Sequence, residues 1–267
     1  MALAVSLREA VALADRFPLL AGVTLDVGEG EIVHLSGPNG AGKSSLLRLC
    51  CGLLPLAAGT GVVLGHDLAV DRREVRRRVG YLGHASFLYE ELTVEENLRF
   101  ALRASGLRSA DAVQRAATAM ARMGLSGRIP GTPVVKLSAG QRRRAALAVV
   151  VGRQPRLWLL DEPHAGLDQE SRALLDDIVT EARADGATVV LSSHDLGSAG
   201  ALADRVIVLA GGRVVPAAGT MPVSRTPVET AAPDPARQPI ADQDHPAEPA
   251  RQPVADQDHA PEAVHVA

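Results

Sequence analysis

"EIVHLSGPNGAGKSSLLRLCCGLL", residues 31–54, is the stretch on which the fold turns. Its apolar opening, 31–37, has the character of a buried strand, and "SSLLRLCCGLL" carries the apolar spacing of a helix packed on a sheet. Between them stands Gly37-Pro38-Asn39-Gly40-Ala41-Gly42-Lys43-Ser44, with Ser45 in the following turn. The glycines let successive backbone N–H groups face one anion, and the helix adds the positive end of its dipole. In such a loop the lysine, Lys43, reaches the outer phosphates and the serine, Ser44, can ligate magnesium. The order strand, loop, helix is the context this motif requires, so the stretch predicts a nucleotide site with Mg2+ as companion rather than a chance glycine loop. No Asn-Lys-x-Asp element that would read guanine occurs in the chain.

Working outward, "RLWLLDEP" at 156–163 and "ATVVLSSHD" at 187–195 are continuous apolar runs that end on ionisable groups, as strands buried on both faces of a parallel sheet do. "DRVIVLAGGRVV" at 204–215 reads as a hairpin turned by Gly211-Gly212. Residues 84–155 are mostly helical in pattern and predict a helical subdomain. The fold class expected is therefore α/β with a phosphate-binding loop. Asp161, at the end of the strand 157–160, is placed to hold a magnesium shell, and Glu162 just beyond it to polarise a water in line with a γ-phosphate. His194 ends the next strand in the same way and is expected near the same phosphate.

A second stretch raises a separate question. "KLSAGQRRRAALAVVV" at 136–151 opens a helix with Ser138 and Gln141 in the Ser-x-x-Gln spacing of a capping box, and Gly140 lies in its first turn. Such a helix start is also an anion site, yet the glycine loop already encloses the one nucleotide this domain binds. The simplest resolution is that it serves a second copy of the chain.

Composition bounds the rest. The 267 residues divide into a globular part, 1–215, and a segment, 216–267, that holds 10 of the 17 prolines, no aromatic residue and the duplication "PARQPIADQDH" at 235 and "PARQPVADQDH" at 249. That segment is expected to be a disordered tail, because it cannot bury enough apolar surface to offset its ordering entropy. It carries 3 arginines against 8 acidic residues, which leaves about +2 on residues 1–215 and argues against nucleic acid as a partner. The arginine runs 72–78 and 142–144 lie at helical spacing and read as solvated faces, or as contacts to a partner or to lipid headgroups. Cys50 and Cys51 are adjacent, without metal-ligand spacing, and are expected to be buried thiols in a reduced compartment. No leader-like pattern opens the chain and no uncharged apolar run reaches the roughly 18 residues of a membrane span.

Taken together, "GPNGAGKS", "LSAGQ", "LWLLDEP", "AGLD" and His194 resemble, in order and spacing, the motifs of the ATP-binding subunits of ATP-binding cassette (ABC) transporters. Ser138 precedes Asp161 by 23 residues and His194 follows it by 33, and the likeness covers essentially all of residues 1–215. The resemblance implies an ABC-type fold: a mostly parallel core sheet, an N-terminal antiparallel β-subdomain and a helical subdomain. It also implies ATP hydrolysis with Glu162 and His194 as catalytic residues, and a head-to-tail dimer in which Ser138, Gly140 and Gln141 of one copy close on the ATP held by Lys43 of the other. Asp168 would help couple the two sites, and Phe17, 26 residues before Lys43, would stack on adenine. Partners would be integral membrane permease subunits and a second ATP-binding subunit, with the chain cytoplasmic and peripheral on the inner membrane face. His84 stands where the family commonly carries Gln, and its imidazole would bond a metal-bound water. With "LSAGQRRR", the pattern "LGH…ELTVEENL" is similar to ATP-binding subunits of haem exporters from cytochrome c maturation. A generic ABC exporter subunit, or a soluble cassette ATPase acting on ribosomes or DNA, stays open beside that reading.

Overall fold

The computed structural model describes residues 2–193 and 202–215, so His194 and the expected tail, 216–267, lie outside the described residues. The chain opens with β1 (Leu3–Ala14), β2 (Phe17–Gly28), β3 (Ile32–Ser36), α1 (Lys43–Cys50), β4 (Ala58–Val63) and β5 (His66–Asp67). It continues through α2 (Arg72–Arg78), β6 (Val79–Leu82), α3 (Val94–Ala104), α4 (Ser109–Arg122) and α5 (Ala139–Arg153). β7 (Leu157–Asp161), α6 (Gln169–Ala184), β8 (Thr188–Ser192), β9 (Arg205–Ala210) and β10 (Arg213–Val215) complete it.

Two sheets form. The first is antiparallel, ordered β2-β1-β4-β5. The second runs β10-β9-β3-β8-β7-β6, parallel throughout except for the β9–β10 hairpin turned at Gly211-Gly212. Every residue of β7 and β8 is buried, which is why both read as unbroken apolar runs rather than alternating ones. Within the run at 187–195, Thr188–Ser192 form β8, while His194 and Asp195 lie outside the described residues.

The pleat sends successive side chains to opposite faces, and each face meets a different core. Ile32, Trp158, Leu160, Val189 and Leu191 join a cluster with residues of α3, α4, α5 and α6. Val33, Leu35, Leu157, Leu159 and Val190 join a second cluster with α1 and the antiparallel sheet. Cys50 and Cys51 belong to that second core as buried free thiols. Burial pushes both above the usual thiol range, Cys51 up to about 12. Side-chain caps start three helices: capping boxes at Thr93–Glu96 for α3 and Ser138–Gln141 for α5, and Asp168 at the N-cap of α6. The helices α3, α4 and α5 pack on one another and span 94–153.

In the run 72–78, Arg73, Arg76, Arg77 and Arg78 are exposed as expected, whereas Arg142, Arg143 and Arg144 are half-buried and depart from a solvated face. Arg76 donates to the Gly52 carbonyl, Arg142 to that of Val134, and Arg144 to those of Met123 and Gly124. Arg143 is half-buried and donates to three backbone carbonyls. Most of these carbonyls lie at the ends of elements, and a guanidinium has enough donors to satisfy several at once.

Candidate functional site

The carboxyl ends of the parallel strands are brought level by their register. Ser192 of β8 stands opposite Leu35 of β3 on one side and Asp161 of β7 on the other. The glycine loop after β3 and the acidic pair after β7 therefore leave the sheet on the same edge, on either side of one strand. A crevice outside the carboxyl ends of parallel strands is where open α/β sheets bind ligands.

The loop is squeezed into place. A Cβ at Gly37, whose φ is 143°, would lie 2.2 Å from the Leu209 carbonyl oxygen, so only glycine fits there. The hairpin turn clasps the far side, with Gly212 N–H donating to Ala41 O at 3.0 Å and Ala21 N–H to Gly212 O at 2.8 Å. Pro38, Asn39 and Gly40 are exposed at the tip, while Ala41 is buried beneath them. Gly42, with φ 105°, sits at the N-cap of α1 and offers no side chain to the helix's first N–H groups. Lys43 is only 7% exposed, and its Nζ donates to Gly37 O at 2.7 Å and Pro38 O at 3.1 Å. Ser44 and Ser45 are half-buried in the first turn of α1.

Asp161 is 4% exposed, and its Oδ1 accepts a 2.7 Å hydrogen bond from Ser192 Oγ. Glu162 adopts a left-handed backbone, φ 48°, which costs a non-glycine residue on the order of 1 kcal/mol or more. Its N–H donates to both Ser192 O and Ser192 Oγ, each at 3.1 Å, and its carbonyl accepts from Arg143 at 2.6 Å. The strained peptide is thus held from both sides, and the side chain leaves the strand at a sharp angle. His34 of β3 is fully buried alongside, with Nε2 donating to Ser193 O at 3.2 Å. Burial lowers its pKa, against opposing pulls from the Ser193 hydrogen bond and the Glu162 charge.

The start of α5 is built as its sequence indicates. Ser138 Oγ accepts from Gln141 N–H at 3.2 Å, and Gln141 Oε1 accepts from Ser138 N–H at 3.0 Å. Ser138 is exposed, and among the described residues no hydrogen bond joins it or Gln141 to the loop 37–45 of the same chain. A Cβ on Gly140 would lie 3.3 Å from Gly166 O, so this helix start approaches the segment between Glu162 and α6. Asp168 caps α6 through Ser171 N–H at 2.8 Å, and the Ser171 hydroxyl and N–H hold its carboxyl below the ordinary range. In the same segment His164 is buried, with Nε2 at 2.7 Å from Asp176 Oδ1.

Two predicted residues lie more openly. Phe17 starts β2 and is 78% exposed. His84 is exposed in the loop after β6, in an open cleft shared with Glu90, Ala139, Arg142 and Arg143. Ser192, Arg143 and His164 carry no motif of their own, and sequence reasoning missed all three. A divalent cation suits the oxygen donors at hand: the Ser44 hydroxyl and the Asp161 carboxylate, whose Oδ1 is taken by Ser192 while no described residue bonds Oδ2.

A family model described as ABC transporter matches residues 20–165. The chain is 38% identical over 201 residues to the cytochrome c biogenesis ATP-binding export protein CcmA of Cupriavidus pinatubonensis, covering 75% of this chain and 86% of that protein. It is 40% identical over 200 residues to the energy-coupling factor transporter ATP-binding protein EcfA2 of Symbiobacterium thermophilum, covering 72% and 68%. Among solved structures, the dimeric post-hydrolysis state of the ATP-binding cassette MJ0796 bound to ADP and Pi superposes with a TM-score of 0.74 at 25% identity, over 79% of this chain and 97% of that one.

Proposed function

The chain belongs to the ABC transporter family, whose ATP-binding cassettes hydrolyse ATP, and we propose that it powers the export of haem through separate membrane permease subunits. The observation that carries the catalytic half is the row Leu35–Ser192–Asp161, which sets the glycine loop and the two carboxylates on one edge of the sheet. The cargo half rests on the similarity to CcmA and on His84 in the loop after β6; the comparable similarity to EcfA2 is why cargo is a proposal.

In this reading the backbone N–H groups of Gly37–Ser45 cradle the phosphates of ATP, and the Lys43 ammonium turns from the loop carbonyls to the β- and γ-phosphates. Ser44 and Asp161 would hold Mg2+, which when bound neutralises charge on the phosphate oxygens, and His84 would face its water shell. Glu162 accepts the proton of a water as that oxygen bonds to the γ-phosphorus and the bond to the ADP oxygen breaks, leaving ADP and inorganic phosphate. Lys43 and the N-terminus of α1 stabilise the charge that spreads over the transferring group. His194, outside the described residues, would act beside Glu162 as the family resemblance implies, and Phe17 offers an exposed ring to adenine.

The signature turn acts across a dimer. Ser138 is exposed with Gly140 and Gln141 half-buried beside it, and among the described residues none of their side chains bonds the loop 37–45, which suits them to the γ-phosphate held by a second copy. Asp168, near the same junction, would relay closure between the two sites. Among the described residues no helix is long and apolar enough to cross a membrane. As in the family it resembles, the chain would be held on the cytoplasmic face by its permease partners.

The test is to trap the Glu162→Gln protein with ATP in its native cells, purify it from membranes and record the co-purifying proteins with a Soret-band spectrum. Stoichiometric integral membrane proteins with haem are expected. Membrane proteins without haem would overturn the cargo, and recovery with ribosomes or DNA from the soluble fraction would overturn transport.

A further inference from the structure

Beyond the last β6–β7 pair, Leu82↔Leu160, the ladder stops and the backbone carbonyls of Gly83, Asp161 and Glu162 gather at its end. One side chain collects them. Arg143 Nη1 donates to Gly83 O, and Nη2 donates to Asp161 O and to Glu162 O, all at 2.6 Å. It reaches them from α5, five residues after Ser138, so the donor belongs to the helix that carries the signature turn and the acceptors to the loop before His84 and to the acidic pair. The guanidinium is partly withdrawn from water, and burial lowers its pKa against the charges of Asp161 and Glu162. Its planar fork suits several fixed acceptors at once, which an ammonium on a flexible stem does not.

Glu162 is the residue most sensitive to this arrangement. Ser192 pins its N–H, Arg143 at 2.6 Å and Ala165 N–H at 3.1 Å hold its carbonyl, and the backbone between them is in the strained left-handed region. A shift of α5 against the sheet must stretch the Arg143 bonds, and with them the angle at which the Glu162 side chain leaves the strand. We propose that Arg143 is a positioning residue that makes the placement of Glu162, and of the Gly83–His84 turn, depend on where the signature helix stands. In one chain it links the helix that engages the partner's nucleotide to the carboxylate that serves its own. The inference rests on the general-base reading of Glu162.

ATPase kinetics of the full chain test it, with Arg143→Lys and Arg143→Gln beside Glu162→Gln. A displacement of about 1 Å at a catalytic group lowers the rate by up to about 100-fold. Arg143→Gln should therefore lose about 100-fold in kcat and Arg143→Lys about 10-fold, with KM for ATP within about twofold because the glycine loop is untouched. Arg143→Gln added to Glu162→Gln should cost nothing further. Rates within about twofold of the parent for both Arg143 variants, with Glu162→Gln inactive, would overturn the inference alone. A raised KM at unchanged kcat would overturn it too, as would additive losses in the double variant. Loss of a cooperative thermal transition in both variants would assign Arg143 to the fold instead. Hydrolysis by Glu162→Gln at the parental rate would overturn the underlying reading of Glu162.

Discussion

Ser192 is fully buried in the strand between the glycine loop and the acidic pair, and its hydroxyl makes two bonds. It donates to Asp161 Oδ1 at 2.7 Å and accepts from Glu162 N–H at 3.1 Å. In Ser192→Ala the Glu162 N–H keeps its other acceptor, the Ser192 carbonyl, so the backbone loses little. Asp161, 4% exposed, loses a donor to a carboxylate that water reaches poorly. A hydrogen bond to a charged group contributes about 1.5–3 kcal/mol, so a loss near 2 kcal/mol is expected. For a domain of this size that corresponds to roughly 4–8 °C in Tm. If Asp161 holds Mg2+ as proposed, removing the bond that orients its carboxylate should lower activity by roughly 10-fold or more. Thermal unfolding without nucleotide and steady-state ATPase on the full chain measure both effects. A Tm within about 1 °C of the parent together with an unchanged kcat would refute the reasoning, because it would mean that Asp161 gains nothing from its buried donor.

Two other outcomes follow from the same geometry. Mixing a Ser138→Arg copy with a Lys43→Ala copy should restore about one composite site per dimer, since in the proposed dimer the exposed turn at Ser138 and the glycine loop act on different nucleotides; hydrolysis no greater than the sum of the two variants alone would rule out the head-to-tail arrangement. The second outcome concerns pH. Burial lowers the His34 pKa in the fold, so below about pH 6.5 the unfolded chain takes up a proton that the folded chain refuses. Stability from this source is therefore full above that pH and falls as pH drops towards the folded value. His34→Gln should narrow the difference in urea midpoint between pH 7.5 and 5.5, and an unaltered difference would assign the acid sensitivity elsewhere.

The motifs that could be read one at a time are those whose physics is local. The glycine loop, the capping box at Ser138–Gln141 and the hairpin at Gly211-Gly212 depend on residues within a few positions of one another, and the structure shows the geometry expected at each. The arginines are the counterexample. Charge and helical spacing made 142–144 look like a solvated face, but Arg143 lies 60 residues from Gly83 and 18 from Asp161 along the chain, and no local pattern announces a bond to either. Ser192 and His164 are of the same kind, since a serine inside an apolar strand and a histidine in a turn have no periodicity to mark them.

The sequence by itself determined the family, the glycine loop, the acidic pair at a strand end and the capped helix start at Ser138, because each is written in residue types at fixed spacing. Tertiary structure alone decided what surrounds those groups. The register that places Ser192 between Leu35 and Asp161, the clasp of Gly212 on Ala41, and the three carbonyls gathered by Arg143 all arise from strands and helices far apart in the chain. The physical reason is that buried backbone groups must be satisfied wherever the elements end. Which side chain supplies the donor depends on packing in three dimensions rather than on distance along the sequence.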